Sequence, residues 1–175
     1  MRDAAFTVRN AEPADIPDLI CMKRELATAE DALVVLRATP EDWLRDLFGK
    51  EPRFVAFVAT RHGSNIGMAT CSDHYFTGWV GPTIFLQDLF VDPAHRHRGV
   101  GAALIARVGA YAQERGSPMV ELTLRADNPA ALFYRRHGFQ KVKNCAVYVA
   151  GTQALLAARS NAQQGSAQRA SDLAS

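Results

Sequence analysis

Residues 83–115 constrain the fold more than any other part of this 175-residue chain. The segment opens with the apolar run TIFLQDLFV, which is typical of a buried strand. Asp92-Pro93 ends that strand, because proline has no N–H to donate to a β-ladder. The stretch GVGAALIARVGAYAQER, residues 99–115, then has the apolar periodicity of a helix. A strand joined by a short loop to a helix predicts an α/β protein.

Two further helices have start signals. Asp15 is a candidate N-cap with Pro17 in the first turn, and Thr39 precedes Pro40 in the same way. Elsewhere the pattern predicts strands near residues 6–8, 54–60, 66–72, 83–91, 119–124, 139–142 and 146–150, and helices at 99–115, 128–137 and 152–159. This order predicts an α/β (mixed) fold, a central mixed β-sheet flanked by helices on both faces. We expect one domain over residues 1–151 and a short helix and mobile tail over 152–175.

Composition excludes several classes of protein. The net charge is +2, from 20 basic and 18 acidic side chains, which is too balanced to favour binding of nucleic acid or a membrane surface. No apolar run approaches the roughly 18 residues of a membrane helix, and the N-terminus does not resemble a signal peptide. The three cysteines have neither disulfide nor metal spacing. We therefore expect a cytoplasmic protein without a metal.

The loop between the strand and the helix contains Arg96, Gly99 and Gly101 in the pattern R-x-x-G-x-G. Glycines let a backbone approach a ligand closely, and the N–H groups that open a helix point towards an anion. The pattern fits neither the G-x-G-x-x-G of a Rossmann loop nor the G-K-[ST] ending of a P-loop. By itself it is a weak signal, but the flanking strand and helix favour phosphate binding.

Two segments in order carry a family resemblance. FLQDLFVDPAHRHRGVGAALI resembles motif A of the GNAT N-acetyltransferases, and NPAALFYRRHGF, about 30 residues later, resembles motif B. RELATAED, YFTGWVG and FLQDLFV further resemble the spermidine/spermine (diamine) N-acetyltransferase group. The resemblance implies direct transfer of an acetyl group from acetyl-CoA to a small primary amine, polyamine- or diamine-like, in a ternary complex. It also implies a homodimer.

The resemblance also assigns roles to residues. It implies a general acid at Tyr134, which protonates the leaving thiolate; packing of that ring in the core is the alternative. Asn128 would contact the pantetheine arm, or cap a helix, or both. Together with the loop, the resemblance gives this acetyl-CoA site: Leu89, Phe90, Val91, Arg96, His97, Arg98, Gly99, Val100, Gly101, Ala102, Asn128 and Tyr134.

The acceptor side departs from the diamine group. An alkyl ammonium has a pKa of about 10, so it must lose a proton before it attacks the thioester. The group usually has Glu where this chain has Gln87, and Gln cannot accept a proton. Asp88 points to the other face of a regular strand unless a bulge re-aims it, and it is the candidate base or amine-binding carboxylate. A satisfied buried acid is the alternative for Asp88.

Other acceptor-side candidates lie in the first helical region and before the third strand. Glu25, with Glu30 and Asp31, would form an acidic wall or merely a solvated helix face. Trp79 and Tyr75 would line the acceptor pocket or pack. These interpretations make the candidate substrate-binding set Glu25, Trp79, Gln87 and Asp88.

The sequence also allows other functions. One alternative is an acetyltransferase whose acceptor amine belongs to a protein, a peptide or an antibiotic. Gln87 also allows a non-catalytic acyl-CoA-binding domain. A nucleic-acid-binding module has only the Arg/His cluster of the loop in its favour.

Overall fold

The computed structural model describes residues 6–29, 37–77 and 81–142. Its strands are β1 (Thr7–Asn10), β2 (Val55–Arg61), β3 (Ser64–Phe76), β4 (Gly81–Val91) and β5 (Val120–Glu121). Its α-helices are α1 (Ile16–Ala29), α2 (Pro40–Phe48), α3 (Val100–Glu114) and α4 (Ala131–Arg136), and short 3-10 turns lie at Pro13–Asp15 and Pro93–His95.

The five strands form one sheet in the order β1-β2-β3-β4-β5. The first four pair antiparallel, and β5 pairs parallel to β4. Parallel neighbours require a crossover connection, and α3 supplies it. The predicted mixed sheet is therefore confirmed.

The sheet has a hydrophobic core on each face. Successive side chains of a strand point to opposite faces, so Val58 of β2 joins a cluster with α1 and α2, while its neighbour Phe57 joins a cluster with α3. Helix α3 contributes one stripe at a spacing of four residues, including the fully buried Leu104 and Val108. Burial of each such side chain stabilises the fold by about 1.5–3 kcal/mol. Helices on both faces were predicted and are confirmed.

The start of α1 differs from the prediction. Asp15 ends the 3-10 turn Pro13–Asp15, and its side chain completes a capping box with Glu12. Its carboxylate accepts hydrogen bonds from Arg9 at 2.7 Å and from Asn65 at 2.9 Å. The bond with Arg9 is the main reason why the pKa of Asp15 falls to about 2. Asp15 thus ties α1 to β1 and β3, and the N-cap prediction for it is wrong.

Thr39 behaves as predicted. Its hydroxyl accepts the N–H of Asp42 at 3.2 Å, the Asp42 carboxylate accepts the N–H of Thr39 at 3.0 Å, and Pro40 opens α2. The pair is a capping box, which satisfies two N–H groups that a helix start leaves without partners.

The C-terminal elements are shorter than predicted. The strand expected at 119–124 is reduced to Val120–Glu121, because β5 leaves β4 after Glu121. The helix expected at 128–137 spans Ala131–Arg136, because the Asn128 side chain accepts the N–H of Ala130 at 2.9 Å and holds a turn before it. Residues 139–142 form no strand.

The chain divides into two compact units, Met1–Gln140 and Lys141–Ser175. The strand predicted at 146–150, the helix at 152–159, the tail, Cys145 and the domain boundary at 151 all lie outside the described residues. Among the helices that are described, none is long and apolar enough to span a bilayer.

Candidate active site

A β-bulge interrupts β4 at the predicted site. Thr70 of β3 lies opposite Asp88, but the next residue, Cys71, lies opposite Leu86, so Gln87 is an extra residue in β4. A bulge changes the direction of the side chains beside it. Gln87 is exposed and donates from Nε2 to the Ser72 hydroxyl at 3.0 Å, whereas Asp88 is buried. The bulge considered from the sequence is thus present.

Beyond the bulge, β4 has an open edge. β5 pairs with β4 only at Ile84 and Phe85, so within the described residues no strand covers its far side from Gln87 to Val91. An exposed strand edge presents N–H and C=O groups to an extended ligand that carries amides. This edge comprises Leu89, Phe90 and Val91, the residues predicted to meet the pantetheine arm.

The open edge leads directly into the predicted phosphate loop. Asp92 caps the turn Pro93–His95 by accepting the N–H of Ala94 at 2.7 Å, and Arg96 donates from Nε to the Val91 carbonyl at 2.9 Å. His97 and Gly99 then have φ of 61° and 84°, in the left-handed region. A left-handed conformation costs a non-glycine residue about 1 kcal/mol or more, and such strain often marks a functional loop.

Gly99 is the N-cap of the 15-residue helix α3. The N–H groups of Val100, Gly101 and Ala102 belong to the first turn of a helix, where no carbonyl of the helix can reach them. They and the helix dipole favour an anion at this end, and Arg98 of the loop adds positive charge. The described geometry therefore suits a phosphate group.

The two predicted motifs meet at Gly101. A Cβ atom there would lie 3.2 Å from Cζ of Phe133 on α4 and 3.7 Å from Cγ2 of Val91. Gly101 thus lets α3 pack closely against α4, in addition to its predicted role in the loop. Gly99 differs, because a Cβ on it would meet no atom within 4 Å.

Tyr134 is half-buried on α4. Its ring contacts those of Phe133 and Phe139, with centroids 5.4 and 5.5 Å away, and packs against the core cluster of α3. These contacts involve the ring of Tyr134, so they are compatible with a role of its hydroxyl as an acid. Asn128 caps the turn before α4, as one of its two interpretations required.

Asp88 lies on the face of the sheet that α1 covers. Thr70 donates its hydroxyl to Asp88 at 2.7 Å, and Lys23 of α1 forms an ion pair with the other carboxylate oxygen. Buried charges require such partners. Burial, with a smaller contribution from the charge of Asp88, raises the pKa of the neighbouring Cys71 thiol to about 12, so Cys71 is no nucleophile.

Sequence reasoning missed Lys23. The only signal for it in the sequence was its position in α1, between Met22 and Leu26 and therefore beside the apolar stripe of the helix. It also missed His74 and Glu121, which hydrogen bond to each other at 2.6 Å on the same face of the sheet.

The remaining acceptor candidates are less defined. Glu25 is exposed on α1 and accepts a bond from the Cys21 thiol at 3.7 Å, and Tyr75 is 58% exposed on β3. Trp79, Glu30 and Asp31 lie outside the described residues. Among the residues that are described, no three metal-binding side chains come together.

Known proteins share this architecture. A family model described as an acetyltransferase (GNAT) domain matches residues 52–141. A spermidine/spermine N(1)-acetyltransferase-like protein of Homo sapiens is 32% identical over 116 residues, which are 61% of this chain and 16% of that protein. A thialysine N-epsilon-acetyltransferase of Sus scrofa is 29% identical over 136 residues, 74% of this chain and 80% of that protein.

A solved structure supports the same fold. An aminoglycoside acetyltransferase from an uncultured soil metagenomic sample superposes with a TM-score of 0.67, over 84% of this chain and 95% of that one, at 19% identity. The match to the GNAT domain model covers half of the chain and includes the bulged strand, the loop and α4. The chain belongs to the GNAT acetyltransferase family.

Proposed function

We propose that this protein transfers an acetyl group from acetyl-CoA to a small primary amine, polyamine- or diamine-like, in a ternary complex. The observation that carries the proposal is the continuity of the bulged strand β4, its open edge and the phosphate loop. An extended thioester with a pyrophosphate at one end matches these three features in order. GNAT acetyltransferases use acetyl-CoA as their cosubstrate, and family membership supports the same choice here.

The cofactor side of the proposal assigns binding to backbone groups. The open edge at Leu89 to Val91 pairs with the pantetheine amides, and the N–H groups at the bulge stabilise the oxyanion that forms on the thioester. The α3 N-terminus and loop bind the pyrophosphate, with Arg96, His97 and Arg98 nearby. Asn128 helps to hold the pantetheine arm.

Tyr134 is proposed as the acid that protonates the leaving thiolate. A phenol has an ordinary pKa of about 10 and is therefore protonated at neutral pH. The rings of Phe133 and Phe139 fix the ring of Tyr134, so its position is set by packing rather than by the ligand.

The acceptor side requires a revision of the role of Asp88. Lys23 already compensates its charge, so an acceptor ammonium that reaches Asp88 competes with Lys23 for one carboxylate oxygen. We keep Asp88 as an amine-binding carboxylate, with Gln87, Glu25 and Trp79 as further acceptor-side residues. The names of the relatives, a spermidine/spermine acetyltransferase-like protein and a thialysine acetyltransferase, support an aliphatic amine.

An antibiotic amine is the second candidate acceptor. The observation in its favour is the similarity to a solved aminoglycoside acetyltransferase, although at 19% identity that similarity concerns the fold.

The proposal also includes a homodimer and a cytoplasmic location, where acetyl-CoA is available. Sedimentation equilibrium tests the dimer.

Calorimetric titration with acetyl-CoA tests the cofactor site, with Gly99→Glu as the variant. Gly99 has open space around it, so the added side chain disturbs no packing but places a negative charge at the α3 N-terminus. We expect binding to be lost. Gly63→Glu is the matched control, because Gly63 also has a positive φ of 80° and open space but lies in the β2–β3 turn. Unchanged affinity in Gly99→Glu would exclude the loop as the phosphate site.

Steady-state kinetics over a panel of amines tests the acceptor. The panel contains diamines, spermidine, a lysine analogue, an aminoglycoside and a peptide with a free amine. Highest kcat/KM for an aliphatic diamine or polyamine supports the proposal, and highest kcat/KM for the aminoglycoside selects the second candidate. Acetyl-CoA binding without turnover on any amine would favour a non-catalytic acyl-CoA-binding domain.

A further inference from the structure

A line of polar side chains runs along β3 on the face that α1 covers. Thr70, Ser72 and His74 alternate along the strand, so their side chains point to the same face. Each bonds to a different polar residue: Thr70 to Asp88, Ser72 to Gln87, and His74 to Glu121 of β5. The line therefore extends from the buried carboxylate, past the bulge, to an imidazole that is 55% exposed.

The last pair in this line has a defined arrangement. His74 Nδ1 lies 2.6 Å from Glu121 Oε1, and Thr83 donates its hydroxyl to the same oxygen at 3.0 Å. An ionised carboxylate only accepts hydrogen bonds, so the proton of this contact sits on Nδ1. In a neutral imidazole the other nitrogen, Nε2, then carries the lone pair. A carboxylate that fixes a histidine tautomer in this way is a common device for making a base.

The imidazole also has room for a small ligand beside it. A shallow cavity of about 270 Å³ is lined by Ser72, Asp73, His74 and Phe85. The edge of the Phe85 ring contacts the His74 ring at a centroid distance of 6.3 Å. Ser72, which bonds to the bulge residue Gln87, is two residues from His74, a distance of about 7 Å along a strand.

The other candidates for a base on this face are excluded by their chemistry or their partners. Gln87 has no basic atom. The two oxygens of Asp88 are engaged by Thr70 and by the ammonium of Lys23. The Asp73 carboxylate points to the opposite face, where it binds Tyr111 of α3 and Arg115, the residue that follows α3. Of the charged residues described around His74, Glu121 is the one that contacts its ring.

We propose that His74 Nε2 accepts the proton of the acceptor amine through a water in this cavity, and that Glu121 is a positioning residue that holds the imidazole. The inference rests on the proposed acetyl transfer. The ammonium gives one proton through water to His74, and the nitrogen lone pair attacks the thioester carbon. The C–N bond forms and the C–S bond breaks. The leaving thiolate takes a proton from the Tyr134 hydroxyl. The nitrogen, now bonded to the acetyl carbon, gives its second proton to Tyr134 and so restores the phenol. His74 then releases the first proton to solvent.

The test compares His74→Ala with wild type on the best amine of the panel. We expect kcat to fall roughly 100-fold, the scale of acid–base catalysis, with the KM of both substrates within about twofold. Added imidazole should restore a substantial part of the lost turnover. The matched control is His62→Ala, an exposed histidine in the β2–β3 turn, which should match wild type with and without imidazole.

Glu121→Gln tests the positioning role by a measurement independent of turnover. Nitrogen-15 NMR of the imidazole should show the Nδ1–H tautomer in wild type and a shift towards the Nε2–H tautomer in the variant. Turnover of His74→Ala within threefold of wild type would overturn the inference while acetyl transfer stood. The inference would also be overturned if His74→Ala lost turnover and had a raised KM, and if added imidazole restored none of its activity. A wild-type protein that acetylates no amine would overturn both proposals.

Discussion

The ion pair between Lys23 and Asp88 allows a quantitative test of how the bulge is held. The Asp88 side chain is 8% exposed and that of Lys23 28%. Removing one partner of a fully buried pair costs about 3–5 kcal/mol, because the other charge stays buried without compensation. Water reaches Lys23 more easily than Asp88. The two single substitutions should therefore differ in cost.

We expect Lys23→Met to lower the free energy of unfolding by about 2–3 kcal/mol, since it strands the buried carboxylate with only Thr70 as partner. Asp88→Asn should cost about 1 kcal/mol, because a lysine can extend its ammonium into water. The double variant should cost less than the sum, with a coupling energy of about 1–2 kcal/mol. Urea denaturation of the four proteins at pH 7 measures the cycle.

An exposed ion pair provides the control. Arg53 is 77% exposed and lies 3.7 Å from Asp46, so Arg53→Met should leave the free energy of unfolding unchanged within error. Additive costs for Lys23→Met and Asp88→Asn, within about 0.5 kcal/mol, would show that the two charges are not coupled. The reasoning that Lys23 occupies Asp88 would then be refuted, and Asp88 would be available to bind an amine directly.

Three further predictions concern other parts of the molecule. Gly101→Ala should lower thermal stability relative to Gly109→Ala, a change in the same helix where the added Cβ meets no atom within 4 Å, because the Cβ at Gly101 presses on Phe133; equal melting temperatures would contradict this packing role. Tyr134→Phe should reduce kcat roughly 100-fold with little change in acetyl-CoA affinity, whereas unchanged turnover would leave the ring a packing role only. The lowered pKa of Asp15, about 2 against 3.8, stabilises the fold by at most about 2 kcal/mol above pH 4. That contribution is lost as pH falls from about 4 to 2. The free energy of unfolding of Asp15→Asn, measured by urea denaturation, should therefore depend less on pH between about 4 and 2 than that of wild type; an equal dependence would contradict this role of Asp15.

Local signals in the sequence were sufficient to predict the fold class and the glycine loop that precedes α3. The capping box at Thr39, the apolar run of β4 and the stripe of α3 each depend on residues within a few positions of one another. Short-range patterns of this kind are readable without a structure, because helix and strand periodicity is a property of the chain itself. The same holds for the R-x-x-G-x-G loop, whose left-handed Gly99 needs no distant partner.

The C-terminal elements were predicted too long because pairing, rather than pattern, limits them. The alternation at 119–124 is real, but a strand needs a neighbour, and β5 has one only beside Ile84 and Phe85. That early separation opens the edge of β4. A local pattern cannot show where two strands part.

Only the tertiary structure decided which partners Asp88 and His74 have. Lys23 and Asp88 are 65 residues apart in the chain, and His74 and Glu121 are 47 apart. Each pair forms because strand register and helix packing bring its members to one face, and no local pattern encodes which distant charge will meet which. The sequence by itself identified Asp88 and the loss of a base at Gln87. The folded chain showed that Asp88 already has a cation and that His74, opposite Thr83 further along β3, is hydrogen bonded to Glu121.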